Sequence, residues 1–170
     1  MTRRPRHLAH AAIIAALYVI LTHFQNLLLP GSTTWAIQLR LSEALCILAF
    51  FTPAAIPGLC AGCLLFNLTY SAALPLDFLA GTFATYLAAQ CMWLTRNVTV
   101  FGCPLPGLLM PALTNAIVIG WELWVYIGGG FWVNALYVAL GEAIVLLVFG
   151  SALYYAMKHR KLDIRLFPQG

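Results

Sequence analysis

Long apolar runs, broken by short clusters of proline, glycine and polar residues, organise the chain from end to end. A hydrocarbon core about 30 Å thick needs roughly 20 helical residues to cross it. With the Pro/Gly punctuation, that yardstick predicts six helical spans at about 8–29, 39–51, 53–70, 75–94, 107–127 and 131–157. The first ends at Pro30-Gly31, and the polar loop Ser32 to Gln38 follows it. The second is short, covering roughly 20 Å at about 1.5 Å per residue. Either it starts below the membrane surface or the loop before it dips inward, which is tolerated only where such backbone lines a cavity or is buried in protein. Thr52-Pro53 turns the chain into the third span, with Thr52 able to cap and Pro53 suited to a first helical turn. Pro75 opens the fourth span, and the polar stretch Thr95 to Pro106 leads to the fifth. Pro111 kinks or starts that fifth span, and Gly128-Gly129-Gly130 turns into the sixth. The pattern predicts an all-α integral membrane bundle of six transmembrane helices, forming one domain over residues 1–170.

Composition agrees, since 62% hydrophobic against 8% charged residues leaves too little polar surface for a soluble domain. Arg3, Arg4 and Arg6 lie at the start, Lys158, Arg160, Lys161 and Arg165 near the end, and Arg96 in the central break. An even number of spans puts both termini on one side, and the basic ends assign that side to the cytoplasm, with Arg96 also falling inside. The formal charge of +4 therefore points to the inner surface of the plasma membrane and not to nucleic acid. No small-residue cleavage site closes the first apolar run, which reads as a membrane helix and not as a secretion signal. Cys46, Cys60, Cys63, Cys91 and Cys103 are odd in number and mostly within apolar runs, which argues for small apolar packing groups over a disulfide framework.

The acids are placed differently from the bases: of five, only Asp163 lies in a tail. In the predicted orientation Arg40 and Glu43 begin the second span on the outer side, Asn67 is near the outer end of the third, and Asp77 opens the fourth. Glu122 is in the outer part of the fifth span and Asn134 opens the sixth, while Asn115 and Glu142 sit nearer mid-membrane. Asn115 and Glu122 are close to two helical turns apart and share one stripe, so they can face one cavity. Asn134, Tyr137 and Gly141 likewise lie close to one face, with Glu142 at its edge. An ionisable group at the bilayer centre costs about 2.5–3.5 kcal/mol on insertion scales, and such groups usually mark a ligand or ion path.

Simpler roles compete with that reading. Arg40 and Glu43, three apart on a helix, are able to neutralise each other. Asp77 fits a helix N-terminal acid, and Asn67, Asn115 and Asn134 fit interhelical hydrogen bonding. Glu122 and Glu142 have no obvious basic partner in the chain. Trp35, Trp121, Trp124, Tyr126 and Trp132 suit an aromatic belt at the lipid interface. Trp121 beside Glu122, and Tyr137 one turn from Asn134, are the stacking candidates for a flat molecule. Ala11, Ala12, Ala15 and Ala16 form overlapping small-xxx-small pairs, suited either to internal packing or to docking a partner helix.

Other chemistry has no signature. No G-x-x-x-x-G-K-[ST] loop occurs, so uphill transport would need an ion gradient or another subunit. No histidine stands at metal-ligand spacing with a second ligand. Cys60-x-x-Cys63 lies within an apolar helix and reads as packing. No G-x-S-x-G or H-E-x-x-H motif marks an intramembrane hydrolase.

The stretches "QLRLSEAL", "GCLLFNL" followed by "PLDFLAGTFATYLAA", "TNAIVIGWEL" and "FWVNALYVALGEAIV" together resemble the QueT-like queuosine-precursor transporter family over about Leu8 to Tyr155. These are substrate-binding S components of energy-coupling factor (ECF) importers. The resemblance implies a six-helix S component that binds substrate from outside and works with a membrane scaffold subunit and two ATPase subunits, so ATP is used by the partners and the chain itself needs no cofactor. It implies that Ala11, Ala12, Ala15 and Ala16 dock the scaffold, and that Arg40, Ser42, Glu43, Asn67, Asp77, Asn115, Glu122 and Glu142 belong to the family's motifs. The segment "TYSAALP" departs from the Gly-rich connection expected between the third and fourth spans.

The implied ligands are 7-deazaguanines. A guanine-type edge offers a ring N–H and an exocyclic amine side by side, and one carboxylate accepts both. Glu122 or Glu43 is the expected reader of that edge, with Arg40 or an Asn amide donating to the ring carbonyl. A second carboxylate would meet an aminomethyl group. Gln38, Arg40, Glu43, Asn67, Asp77, Asn115, Trp121, Glu122, Asn134, Tyr137 and Glu142 form the expected substrate site, beneath the Ser32 to Gln38 loop as a lid. The rival readings are an S component for another vitamin or purine, an intramembrane enzyme using Glu122 and Glu142 as acid and base, and an assembly protein whose polar residues only hold helices together.

Overall fold

The computed structural model describes residues 3–32, 39–70, 73–100 and 102–168. The Ser32 to Gln38 lid, with Gln38 and Trp35, lies largely outside them: only Ser32 of that loop is described. Apart from one isolated bridge between Val100 and Cys103, the described secondary structure is helical. Helix α1 (Arg3–Leu28) is followed by a 3₁₀ helix (Leu41–Phe50), then by α2 (Ala55–Thr69) and α3 (Asp77–Leu94). A short α4 (Leu105–Leu108) leads into α5 (Met110–Tyr126), and α6 (Phe131–Val145) passes through a π-helical turn (Leu146–Gly150) into α7 (Ser151–His159) and a terminal α8 (Leu162–Leu166). Three segments, Arg4–Leu28, Leu105–Tyr126 and Phe131–His159, are long and apolar enough to cross a membrane.

The short second element is the axle of the bundle. It is a ten-residue 3₁₀ helix, and every residue from Ser42 to Phe50 is buried. Such helices rarely exceed 3–4 residues because their hydrogen bonds are strained and side chains at i and i+3 eclipse. Here the surroundings hold it, since α1, α2, α3, α6, the π-helical turn and α7 all pack against it. Its sequence, LSEALCILAF, is apolar around nearly its whole circumference, as a segment enclosed on all sides must be.

Glycine and alanine set the closest approaches. A Cβ on Gly58 would stand 2.7 Å from the Ala11 carbonyl oxygen, and one on Gly62 would stand 2.6 Å from the Tyr18 Cβ. Ala11 and Ala15 therefore belong to the α1–α2 seam, with Ala15 buried. Of the four alanines, Ala12 and Ala16 are exposed, whereas Ala15 is buried and Ala11 half-buried. The same device joins α5 and α6, where a Cβ on Gly120 would meet the Ala135 Cα at 2.8 Å.

The outside is oily, and the inside combines an apolar core with buried charge. Ile13, Ile20, Phe24, Leu68, Phe83, Ile117, Leu136, Ile144 and Val148 are among the large apolar side chains left exposed. Arg40, Glu43, Asp77, Glu122 and Glu142 are buried. An apolar surface this extensive, wrapped around buried charge, matches a lipid-facing exterior. At one end, the His10 ring packs edge-on against Phe167 at 5.1 Å, bringing the start of α1 beside the tail of the chain. Arg96 and Asn97 line a cavity of about 300 Å³ there together with Lys158 and Asp163, so the α3–α4 connection reaches the same end.

Candidate functional site

The first part of the site is built where α1 meets the 3₁₀ helix. On α1, Tyr18, Thr22, Gln25 and Asn26 are buried, and their spacing places them on one face. Tyr18 Oη donates to Glu43 Oε1 at 2.6 Å, and Cys46 Sγ, one 3₁₀ turn after Glu43, donates to Glu43 Oε2 at 3.2 Å. Thr22 Oγ1 lies 2.8 Å from Ser42 Oγ. The Gln25 amide clamps the entry to the element: its Oε1 accepts from the Leu41 N–H at 2.8 Å, while its Nε2 donates to Ser32 Oγ at 2.9 Å and to the Leu39 carbonyl. Sequence reasoning passed over Tyr18, Thr22 and Gln25 because the first span reads as apolar. The i, i+4, i+7 spacing of these three polar residues was the signal that marked an inward face.

The second part comes from α2 and α3. Asn67 Nδ2 donates to the Asp77 carbonyl oxygen at 2.8 Å, and Asp77 Oδ2 accepts from the Leu74 N–H at 2.8 Å. Asp77, the first residue of α3, thus ties the helix to the turn before it while remaining buried. Asn67 is pressed over Gly81, where a Cβ would come within 2.7 Å of its Nδ2. The Arg40 guanidinium stands 5.9 Å from the centroid of the Phe66 ring, at cation–π range.

The third part is the α5–α6 pair. Asn115 Nδ2 donates to Glu142 Oε1 at 2.9 Å, joining the two helices, and Glu122 is fully enclosed. Glu142 Oε2 and Asn67 Oδ1 have no hydrogen-bond partner among the described residues, and Glu122 accepts from no amide, hydroxyl or cationic donor among them, its carboxyl instead lying in hydrogen-bonding range of the Asp77 carboxyl. Leaving a buried polar atom unpartnered costs about 1–3 kcal/mol, and more for a charged one. Acceptors gathered in this way suit a molecule that brings donors.

Electrostatics link the three parts into one group. Arg40 interacts with Glu43, Asp77, Tyr18 and Cys63; Asp77 and Arg40 interact with Glu122; Glu43 and Arg40 interact with Glu142. The buried charged side chains among the described residues are then four carboxyl groups, Glu43, Asp77, Glu122 and Glu142, and the Arg40 guanidinium.

Not every expected residue joins them. Trp121 and Tyr137 are exposed by 47% and 41%, respectively, on the outer surface of α5 and α6. Trp121 lines an apolar groove with Leu76, Leu79, Ala80, Phe83, Ile117 and Val118, away from the acids. The adjacency of Trp121 to Glu122 along the chain is what turns it outward, because neighbours on a helix are about 100° apart. Asn134 donates from Nδ2 to the Gly128 carbonyl at 2.8 Å and so ties down the glycine turn before α6. Its amide is engaged in that turn, and Tyr137, one turn on, lies exposed.

Comparison with known proteins adds one match: the family model described as QueT transporter covers residues 8–159. No curated protein and no solved structure matches the chain.

Proposed function

The chain belongs to the QueT transporter family, and on that premise we propose that it is the substrate-binding S component of an ECF-type importer that takes up queuosine precursors of the 7-deazaguanine class. Six helical segments would cross the plasma membrane, the 3₁₀ helix enclosed among them, with both termini on the cytoplasmic side. The basic residues at both chain ends, and the contact between His10 and Phe167, support that orientation.

Glu122 is the observation that carries the substrate class. Its two carboxylate oxygens are buried and accept from no amide, hydroxyl or cationic donor among the described residues, its one close polar neighbour there being the Asp77 carboxyl, whereas both oxygens of Glu43 are already engaged by Tyr18 and Cys46. A ring N–H and an adjacent exocyclic amine present two parallel donors, which one carboxylate accepts as a bidentate pair. Glu122 therefore reads the guanine-type edge, and Glu43 supports the site from behind. Asn67 Oδ1, unpartnered among the described residues, offers a further acceptor.

The chain's own part is to bind its ligand in this buried polar group. Ala12 and Ala16, exposed on α1, form the surface that docks the scaffold subunit, and two ATPase subunits drive release into the cell. The test is calorimetric titration of the detergent-purified chain with 7-deazaguanines, with riboflavin and thiamine as controls. Saturable binding of the deazaguanines alone, lost in Glu122→Gln, is the expected result. Binding that survives unchanged in Glu122→Gln, or preference for a control vitamin, overturns the assignment.

A further inference from the structure

We infer that the cavity of about 300 Å³ at the end of the bundle, where the start of α1 meets the tail, is a lipid site that takes a zwitterionic headgroup bearing a primary ammonium. It stands apart from Glu122 and from the cargo, whatever that cargo is. Its volume is at the lower end of small-ligand clefts, about 300–1,000 Å³. Arg96 supplies the anion-binding half. Its Nη1 donates to the Trp93 carbonyl at 2.7 Å and the guanidinium lies 3.9 Å from the Trp93 ring centroid, so bond and stacking together hold it in place. A guanidinium carries several N–H donors in a rigid fork, and those not spent on Trp93 suit a phosphate. Lys158 adds a second positive charge, already paired: its Nζ stands 2.9 Å from Asp163 Oδ2.

Asp163 supplies the opposite half. Its other oxygen, Oδ1, is buried and has no side-chain donor among the described residues, the carboxyl's further neighbours being the backbone N–H groups of Ile164 and Asp163. A carboxylate oxygen accepts more than one hydrogen bond, so Oδ1 suits an N–H of a primary ammonium. A quaternary ammonium brings no N–H and relies on aromatic faces. Those are engaged here: Phe51 stacks on Tyr154 with centroids 5.5 Å apart, and Lys158 Nζ stands 5.3 Å from the Phe51 centroid. An anion by itself leaves Asp163 Oδ1 unserved, and a cation by itself does the same to Arg96. A phosphate linked to a primary ammonium meets both.

The rim points to a bilayer as the source of that group. Leu94 and Val98 flank Arg96 and Asn97 along the chain, Ile164 lines the cavity itself and Leu166 follows it, and all four apolar side chains are exposed. Exposed apolar side chains beside anchored basic ones suit the depth at which acyl chains give way to headgroups. A solute free in water has no use for such a rim. In the orientation proposed above, the headgroup belongs to the inner leaflet.

The experiment is native mass spectrometry of the full-length chain in detergent, titrated with phosphatidylethanolamine, phosphatidylcholine and phosphatidylglycerol of the same acyl chains. Wild type should bind the ethanolamine lipid roughly 10-fold more tightly than either of the others, as for one hydrogen bond to a charged group. Asp163→Asn removes the carboxylate and frees Lys158 for phosphate, so it should reverse the order in favour of phosphatidylglycerol. Arg96→Gln, which leaves the Lys158–Asp163 pair in place, should weaken all three lipids. Soluble glycerophosphoethanolamine at equal concentration should displace little of the bound lipid. Equal affinities in wild type overturn the site, and an ethanolamine preference that survives Asp163→Asn overturns its assignment to Asp163. Lipid binding that Arg96→Gln leaves unchanged also overturns the site, whether or not the Asp163 variant keeps α8 attached. Ready displacement by the soluble competitor overturns the bilayer as the source. Failure of the chain to bind 7-deazaguanines would sink the transport reading and leave each of these outcomes as it stands.

Discussion

Tyr18 on α1 donates a 2.6 Å hydrogen bond to Glu43 on the 3₁₀ helix, and both residues are almost wholly enclosed. The pair locks the central element to the first helix at the point where an acid enters the interior. The 3₁₀ helix, unstable by itself at ten residues, takes its orientation partly from this bond. Tyr18→Phe keeps the ring in its place and removes only the donor. The cost should be about 1–3 kcal/mol, the penalty for one buried acceptor left unpartnered. Thermal unfolding in detergent measures it, and an unchanged midpoint would show that Glu43 finds another donor at no cost.

The α1–α2 seam separates two uses of small residues that the sequence places side by side. Gly62→Ala would put a methyl group 2.6 Å from the Tyr18 Cβ, so it should cost about 1–3 kcal/mol by overpacking and weaken the Tyr18–Glu43 bond as well. Ala15→Trp, inside the same seam, should lose both folding and ligand binding. Ala12→Trp and Ala16→Trp, on the outer face, should leave thermal stability and ligand affinity near wild type while abolishing co-purification with a scaffold subunit. Full co-purification of both outer variants would remove α1 as the docking surface.

These contrasts show what the sequence could and could not reveal. Helical segments were legible because apolar length and proline punctuation are local properties: Pro75 stands two residues before α3, and Pro111 sits in the first turn of α5. The nature of the second segment was not, because a stretch enclosed on every side has no polar face from which to read a period. The π-helical turn at Leu146–Gly150 left no trace either, lying within an unbroken apolar run. Among polar residues, the acids stood out by their cost in a membrane, and Glu43, Asp77, Glu122 and Glu142 are all buried. Trp121 and Tyr137 were read toward the site from their nearness along the chain to Glu122 and Asn134, whereas both side chains lie exposed, and Tyr18 was missed because an aromatic ring in an apolar run counts as apolar until its hydroxyl finds a partner.

Asn134 offers a direct check on that division. Its Nδ2 donates to the Gly128 carbonyl and holds a turn in which Gly128, Gly129 and Gly130 all have positive φ, from 80° to 99°. Asn134→Ala should lower stability by about 1 kcal/mol, as for loss of a typical side-chain hydrogen bond, and leave ligand affinity within twofold or so of wild type. Loss of ligand binding without loss of stability would return Asn134 to the site.

The tail carries the pH prediction. Lys158 Nζ and Asp163 Oδ2 are 2.9 Å apart, fastening α8 to the end of α7 beside the cavity that Arg96 also lines. Burial by itself would push the Asp163 carboxyl up, but the Lys158 hydrogen bond and the backbone N–H groups of Ile164 and Asp163 outweigh it and hold the group below the usual range. A carboxyl depressed in the folded state contributes stability that is complete above its unfolded value, about 3.9, and that fades as pH falls through the lower folded value. The α8 attachment should therefore be intact at neutral pH and loosen only under acid, below about pH 4. Hydrogen exchange over Leu162–Leu166, corrected for intrinsic rates, should show protection falling in that window. Lys158→Met should lower the protection at neutral pH and flatten its pH dependence, since the carboxyl then returns toward its ordinary value and less stability is left to lose. Protection that is independent of pH in wild type, or a pH dependence that Lys158→Met leaves unchanged, would mean that apolar packing around Phe167 and not the ion pair holds the tail.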